Sequence, residues 1–189
     1  MTEPDFLRDT RVSYDAVAAA YAERFGDELD ARPLDRGMLA GFAERVRAAG
    51  AGPVAQRTYP GLRFEVGSML ALDLPDASLG GLLAWYSVIH VPDERVPEAF
   101  AEFCRVLVPG GLVLLGFQVG DDSLHRSAAL GYPVALDFRR RRPEWVAERL
   151  GQAGLVVRAR LLREPDDDGD FPEREPQAFL LARKPEELV

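Results

Sequence analysis

The side chains best suited to contact a ligand lie in two short segments, each at the end of a predicted strand. Gly67-Ser68-Met69 follows a strand expected at 62–65, and Ala84-Trp85-Tyr86 closes a strand expected at 79–85. In an open α/β sheet, ligands bind outside the carboxyl ends of the strands. A hydroxyl, a thioether and two aromatic rings at this edge therefore predict a binding site.

The middle of the chain predicts a strand–helix–strand unit. Residues 79–85 and 112–117 are continuous apolar runs, which are typical of strands covered on both faces. Between them, residues 93–106 place apolar side chains at helical spacing, and Pro109-Gly110-Gly111 predicts a tight turn. This order of elements implies a right-handed crossover between two parallel strands.

The flanking segments predict helices before this unit and a hairpin after it. Ser13 is a candidate N-cap for a first helix, and a second helix is expected at 34–49. Toward the C-terminus, a helix at 143–154 precedes an antiparallel hairpin of two strands, 155–163 and 178–183. We therefore predict an α/β fold with a mostly parallel, doubly wound sheet and one reversed strand near the C-terminus.

The length of 189 residues and the 29% of charged residues suit one globular domain. We expect it to consist of a helical cap, a sheet core, an irregular insertion and a C-terminal helix with its hairpin, at 1–50, 51–118, 119–141 and 142–189. No apolar run is long enough for a membrane span, and the acidic N-terminus does not resemble a signal peptide. A single cysteine, Cys104, excludes an internal disulfide and favours a cytoplasmic setting.

The charge pattern argues against nucleic acid and metal as ligands. A net charge of −8 would repel a phosphate backbone. The run 139–142 is four arginines that could touch an acidic substrate, although a solvated loop or helix entry is the preferred interpretation. The acidic residues from Glu164 to Glu175 have a spacing like that of a calcium loop, but no helices flank them, so we predict a solvated loop and no metal site.

The order of four motifs resembles that of class I S-adenosylmethionine-dependent methyltransferases, most closely the small-molecule type. The motifs are YDAVAAAYA, PGLRFEVGSM, LPDASLGGLLAWYSVIHV and LVPGGLVLLGF, and the C-terminal hairpin follows them. No single motif is decisive, but their order and spacing over about residues 12–184 are specific. The resemblance implies a Rossmann-like sheet, S-adenosylmethionine as the cofactor and a small-molecule methyl acceptor.

The resemblance also implies a cofactor site in the two segments already singled out. Gly67-Ser68-Met69 matches a turn that lies against the adenine, with Ser68 where an aspartate is commoner. Ala84-Trp85-Tyr86 matches the strand end beside the sulfonium, a cation that aromatic faces stabilise. Tyr14 and Tyr21 match positions that cover the cofactor or substrate, although the same spacing fits a helix that packs an aromatic stripe on the core.

His90 is the candidate catalytic residue. Methyl transfer depends mainly on the alignment of nucleophile and methyl group, and a general base helps where the acceptor loses a proton. His90 lies just beyond the strand at 79–85, although a hydrogen-bonded histidine at a helix entrance would have the same sequence position. His125, in the insertion at 119–141, could contact the substrate.

The sequence departs from the family's pattern after Ala55. The family has a glycine-rich GxGxG turn after its first strand and a ribose-binding carboxylate after its second, and neither is found in this sequence. The missing strand, helix and strand would need about 25–35 residues. We therefore predict a fold shortened by about two strands and a helix, with impaired cofactor binding.

Such a shortening would leave a sheet edge without its usual neighbours. In relatives the strands are ordered 3-2-1-4-5-7-6, and the first two would be lost. An open apolar edge pairs readily with another chain, which predicts a homodimer formed through that edge or by a domain swap. Two functions are left open: small-molecule methyl transfer, and a degenerate, non-catalytic homologue that acts as a binding or self-associating scaffold.

Overall fold

The computed structural model describes residues 4–48, 67–168 and 170–186. These ranges contain a four-stranded sheet, a two-stranded hairpin and four α-helices. In chain order the elements are α1 (Asp5–Phe25), α2 (Pro33–Ala48), β1 (Leu79–Trp85), α3 (Val96–Val106), β2 (Leu107–Gln118), β3 (Ser123–Ala129), β4 (Tyr132–Arg139), α4 (Pro143–Gln152), β5 (Val156–Arg163) and β6 (Gln177–Arg183). None of the helices in these ranges is long and apolar enough to cross a membrane.

The larger sheet has the strand order β1-β2-β6-β5. Strand β1 is parallel to β2, and β6 is antiparallel to both β2 and β5. Three strands therefore point the same way and one is reversed, which confirms the predicted fold class. The expected strand at 62–65, the Gly50-Ala51-Gly52 sequence and the departure after Ala55 all lie outside the described residues.

Apolar side chains cover both faces of this sheet. Helices α3 and α4 pack on one face, where Phe100 and Leu150 are fully buried. Helix α2 packs on the other face through Phe42 and Val46. At Gly81 of β1 a Cβ atom would lie 2.4 Å from Cγ2 of Val46, so the close approach of α2 requires a glycine at this position.

Two predictions of secondary structure were wrong. Helix α1 begins at Asp5, so Ser13 lies in the middle of the helix and is not its N-cap. The Ser13 hydroxyl instead accepts a hydrogen bond from the Ala135 amide of β4 (2.9 Å). Residues 119–141 are not irregular, because they contain the hairpin of β3 and β4. Strand β3 is solvent-exposed along almost all of its length, so it shows none of the apolar alternation from which strands are predicted.

The run of arginines is only partly solvated. Arg142 is exposed and pairs with Asp121, as the preferred interpretation expects. Arg141 is buried, and its guanidinium donates to the Val88 carbonyl (2.8 Å) and to the Asp93 carboxylate (2.9 Å). For Arg141 the prediction was wrong, because this side chain satisfies backbone carbonyls in the segment that follows β1.

Candidate active site

His90 lies in a 3₁₀ turn, Val88–His90, directly beyond the carboxyl end of β1, and only 7% of its surface is exposed. Its Nδ1 atom is 2.8 Å from the Asp137 carbonyl oxygen, and its Nε2 atom is 3.0 Å from the Tyr14 hydroxyl. A carbonyl can only accept, so the proton of the neutral ring is on Nδ1. The lone pair of Nε2 then accepts a hydrogen bond from Tyr14.

Burial favours the neutral forms of both partners. It lowers the pKa of His90, and the Arg139 guanidinium acts in the same direction, while the hydrogen bond to the Asp137 carbonyl opposes them. Burial also raises the pKa of Tyr14 to about 12, with a smaller contribution from Tyr21. A neutral imidazole with a fixed tautomer therefore faces a neutral phenol.

Tyr21 extends the aromatic surface that begins at Tyr14. The Tyr21 ring lies edge-on to Tyr14, with 6.0 Å between centroids, and 4.7 Å from the ring of Phe25. Phe25 in turn lies 6.2 Å from Phe171 in the loop between β5 and β6. The stripe thus packs along α1, and its first ring, Tyr14, reaches His90.

The Gly67-Ser68-Met69 segment leads into a short turn, and a side chain of α3 anchors the residues that follow it. The Ala71 amide donates to the Ser68 carbonyl (3.0 Å) and closes the turn. Beyond it, the Leu72 amide donates to Glu102 of α3 (2.7 Å). Gly67 is exposed, and a Cβ atom there would meet no atom of the described residues within 4 Å. The turn, Ser68–Ala71, is therefore held by α3, and Gly67 lies exposed just before it.

Residues 84–86 point to different sides of the sheet. Ala84 shares the apolar cluster on the α3 face with Met69 of the turn. Trp85 lies on the α2 face, where its ring stacks on Phe179 with 5.1 Å between centroids and covers Gly116. Tyr86 touches both clusters, and its φ of 48° turns the chain sharply away from the strand. The structure thus places Ala84 in the same cluster as Met69 of the turn, directs Trp85 to the opposite face and leaves Tyr86 between the two clusters.

A buried network of ion pairs lies at the same edge of the sheet, on the α2 face. Arg163, at the end of β5, donates to both oxygens of Glu173 (2.6 and 2.8 Å) and to Asp35 of α2 (3.2 Å). Arg32 donates to Asp166 (3.0 Å) and lies 3.4 Å from Glu173. Burial raises the pKa of Asp35 although Arg163 opposes the shift.

This network also affects Tyr86. Burial raises the pKa of its phenol, and the negative charges of Asp35 and Glu173 add to the shift. Sequence reasoning missed the network because its members are isolated charged residues far apart in the chain, in no recognisable motif. Only the folded arrangement of α2 and the β5–β6 loop brings them to one place.

His125 lies on the outer hairpin, where its Nδ1 atom is 2.7 Å from the Asp137 carboxylate. Asp137 therefore contacts both histidines of the chain, His90 through its carbonyl and His125 through its side chain. Within the described ranges no three His, Cys, Asp or Glu side chains group as a metal site, and Gly169 of the acidic loop lies outside those ranges.

Comparison with solved structures identifies the fold. An S-adenosylmethionine-dependent methyltransferase from Methanosarcina mazei has a TM-score of 0.57 and 15% identity, over 75% of this chain and 76% of that chain. The 1,6-didemethyltoxoflavin N1-methyltransferase of Burkholderia thailandensis, solved with 1,6-didemethyltoxoflavin and S-adenosylhomocysteine bound, has a TM-score of 0.49 and 18% identity, over 66% of this chain and 51% of that chain. No curated protein sequence matches the chain.

Comparison with family models identifies the family. A model described as a methyltransferase domain matches residues 15–111, which is 97 of the 189 residues. The match begins at Asp15, one residue after Tyr14, and it includes α2, β1, α3 and the turn that carries His90. The resemblance to S-adenosylmethionine-dependent methyltransferases is thereby confirmed, and the chain belongs to the methyltransferase-domain family.

Proposed function

We propose that this protein transfers a methyl group from S-adenosylmethionine to a small-molecule acceptor that loses a proton in the reaction. The observation that carries the proposal is the pair of Tyr14 and His90 beyond the carboxyl end of β1. The tautomer of His90 is fixed by the Asp137 carbonyl, so Nε2 is available as a proton acceptor. A base of this kind belongs in a reaction that removes a proton from a nucleophile.

The described residues offer a fit for the adenine end of the cofactor. Gly67 is exposed just before the turn, and Ser68 and Met69 are half-buried within it. Tyr86 and Ala84 lie in the same apolar cluster as Met69. These residues would hold S-adenosylmethionine, which supplies a methyl group already activated on a sulfonium. Trp85 is not among them, because its indole lies on the α2 face and stacks on Phe179.

The contacts of Tyr14 suggest how the acceptor proton is removed. Because the Tyr14 hydroxyl covers Nε2, the acceptor proton passes to the Tyr14 oxygen while the Tyr14 proton passes to Nε2 of His90. The resulting imidazolium keeps its Nδ1 proton on the Asp137 carbonyl. Since burial lowers the pKa of His90, this relay favours acceptors with an acidic proton, such as phenols and enols, over alkyl alcohols.

Calorimetric titration with S-adenosylhomocysteine tests the cofactor. We expect saturable heat, and no heat at millimolar concentrations of S-adenosylhomocysteine would overturn the proposal. Transfer of labelled methyl groups to a panel of phenols, enols and amines then tests the acceptor class. We expect His90→Asn to abolish transfer to phenols, with His125→Asn as the matched control because it changes the chain's only other histidine.

A non-catalytic scaffold is the second candidate. Its supporting observation is that, among the described strands, β1 is hydrogen-bonded only to β2, which leaves its other edge available for a further strand. Size-exclusion chromatography with light scattering tests the self-associating form. A dimer together with no binding of S-adenosylhomocysteine would favour the scaffold, whereas a monomer that binds S-adenosylhomocysteine would contradict it.

A further inference from the structure

The hairpin of β3 and β4 contacts His90 at both its ring and its backbone. The Asp137 carbonyl accepts the Nδ1 proton, as described above. Arg139 donates from one guanidinium nitrogen to the His90 carbonyl (3.2 Å) and from the other to the Asp137 carboxylate (3.1 Å). The ring of Phe138 lies edge-on to the imidazole with 5.0 Å between centroids. Three consecutive residues of β4 therefore surround one side of His90.

We propose that Arg139 is a positioning residue for His90. By bridging the His90 carbonyl and the Asp137 carboxylate, it holds the backbone of β4 against the turn that carries His90, and so keeps the Asp137 carbonyl on Nδ1. The inference deepens the proposed function, because its effect on methyl transfer depends on His90 acting as the base. Its effect on the His90 ring does not depend on any reaction.

The bridge formed by Arg139 maintains the Nδ1–H tautomer of His90. If the Asp137 carbonyl moves away from Nδ1, nothing in the pair prevents the ring proton from moving to Nε2. Nε2 would then donate to the Tyr14 oxygen instead of accepting from its hydroxyl, and the lone pair that serves as the base would be lost. Arg139 thus acts on the reaction only through His90.

Arginine suits this bridge better than lysine. The planar guanidinium presents two nitrogens in a fixed arrangement, so it can reach two acceptors on different elements at once. Lysine has one ammonium group and a more flexible side chain, so it would satisfy one acceptor at the expense of the other. The Arg139 charge also lowers the pKa of His90, which burial already lowers, whereas the Asp137 carboxylate raises it.

Other charged and titratable groups contact this turn or the Asp137 carboxylate, but none of those named here contacts the Asp137 carbonyl that accepts from Nδ1. Tyr14 of α1 contacts Nε2, and His125 of β3 contacts the outer side of the Asp137 carboxylate. Arg141 holds the Val88 carbonyl and pairs with Asp93, at the other end of the turn. Removal of Arg139 should therefore affect the ring while the turn itself stays anchored.

Nitrogen-15 spectroscopy of the imidazole rings tests the proposal in the full-length protein. Long-range proton–nitrogen correlations distinguish the two neutral tautomers, and His90→Asn assigns the His90 signals. In the wild type we expect the Nδ1–H form alone. In Arg139→Ala we expect a mixture of the two tautomers or the Nε2–H form. A pure Nδ1–H form in Arg139→Ala would overturn the proposal.

Arg142→Ala is the matched control, since Arg142 belongs to the same run of arginines but forms an exposed pair with Asp121. Its His90 signals should equal those of the wild type, and an equal loss of the Nδ1–H form in both variants would contradict a specific role for Arg139. If Arg139→Ala does not fold, Arg139→Lys decides. It keeps the charge, and a mixture of tautomers supports the bridge, whereas the pure wild-type tautomer contradicts it.

The spectroscopic result is separable from the proposed function. It requires neither cofactor nor acceptor, so a protein that fails to bind S-adenosylhomocysteine can still confirm or refute the role of Arg139. Where methyl transfer is measurable, Arg139→Ala should lower kcat about 10- to 100-fold and leave the KM for the acceptor unchanged. Arg142→Ala should change neither constant.

Discussion

The Tyr14 hydroxyl lies 3.0 Å from Nε2 of His90, which joins α1 to a residue 76 positions further along the chain. The contact places an aromatic side chain of the N-terminal helix at the carboxyl end of β1, where ligands of α/β sheets bind. It also satisfies the one acceptor that the buried imidazole presents. Helix α1 is thus part of the candidate active site as well as part of the helical cap.

We expect Tyr14→Phe to separate the two roles of this contact. Phenylalanine keeps the ring but removes the donor, so Nε2 of His90 is left buried without a partner. The free energy of unfolding should fall by about 1–2 kcal/mol. The rate of methyl transfer to acceptors that lose a proton should fall by more than this loss of stability explains. Urea unfolding and a methyl-transfer assay measure the two effects.

Tyr132→Phe is the matched control, because Tyr132 is an exposed tyrosine of the hairpin, at 45% of its full accessible surface. It should change the free energy of unfolding by no more than about 0.5 kcal/mol. If Tyr14→Phe and Tyr132→Phe lower the free energy of unfolding and the rate of methyl transfer equally, the hydroxyl of Tyr14 has no special role.

His90 should make the stability of the protein depend on pH. Burial lowers its pKa below the ordinary 6.5, so the unfolded chain takes up a proton at a pH where the folded chain still resists it. The free energy of unfolding contributed by this group is therefore complete above about pH 6.5 and decreases as the pH falls toward the folded pKa. Urea unfolding at pH 7.5 and pH 5.5 measures the decrease.

His90→Asn should reduce that dependence on pH. An asparagine amide can still donate to the Asp137 carbonyl, but it does not titrate, so the contribution of His90 disappears. His125→Asn retains His90 and should retain this contribution. A slope between pH 7.5 and 5.5 that is the same in His90→Asn and in the wild type would contradict the assigned environment of His90.

Strands and helices that bury an apolar face could be predicted from the sequence. The apolar run of β1 matches its observed bounds, and α2 occupies Pro33–Ala48 close to the predicted 34–49. The hairpin could not be predicted in this way, because β3 is exposed and β4 buries only Leu136. Such strands are stabilised by their contacts with α1, which do not appear as a local pattern.

The candidate site could be predicted only in its individual residues. His90 could be singled out as the only titratable base close behind β1, and Tyr14 by its resemblance to covering residues. Their pairing could not be foreseen, nor could the role of Asp137, because it acts through a backbone carbonyl that every residue possesses. The side to which Trp85 points depends on the register of β1 and on the space above Gly116.

The ion-pair network should contribute strongly to stability through Glu173. Glu173→Gln keeps the size of the side chain but removes the one carboxylate that contacts both Arg163 and Arg32, which are nearly buried. Asp35 and Asp166 still pair with these arginines, so their charges are only partly compensated, and the free energy of unfolding should fall by about 2 kcal/mol. Urea unfolding at pH 7.5 provides the measurement.

The exposed pair of Arg142 and Asp121 supplies the control for this change. Asp121→Asn removes a carboxylate from a pair with both side chains in solvent, so it should lower the free energy of unfolding much less than Glu173→Gln does. If Glu173→Gln lowers the free energy of unfolding no more than Asp121→Asn does, the buried ion pairs contribute no more to stability than an exposed pair.

The packing of α2 on β1 predicts a strong dependence between two positions. Gly81→Ala places a methyl group 2.4 Å from Cγ2 of Val46, and such overpacking should cost about 1–3 kcal/mol. Val46→Ala alone leaves a cavity and is also destabilising. In the double variant the new methyl group enters the space that Val46 leaves, so the cost should be smaller than the sum of the two single costs.

Gly37→Ala tests the same helix away from the sheet. Within the described part of the chain, a Cβ atom at Gly37 would meet nothing within 4 Å, so alanine should stabilise α2 through its higher helix propensity, by about 0.5–1 kcal/mol. Urea unfolding of the four variants measures all of these free energies. We expect Gly37→Ala to raise the free energy of unfolding and Gly81→Ala to lower it. Together with non-additive effects of Gly81→Ala and Val46→Ala, this result would support the contact of α2 with β1 at Gly81. Additive costs would mean that the two side chains do not share one space, and the position of α2 on the sheet would then be wrong.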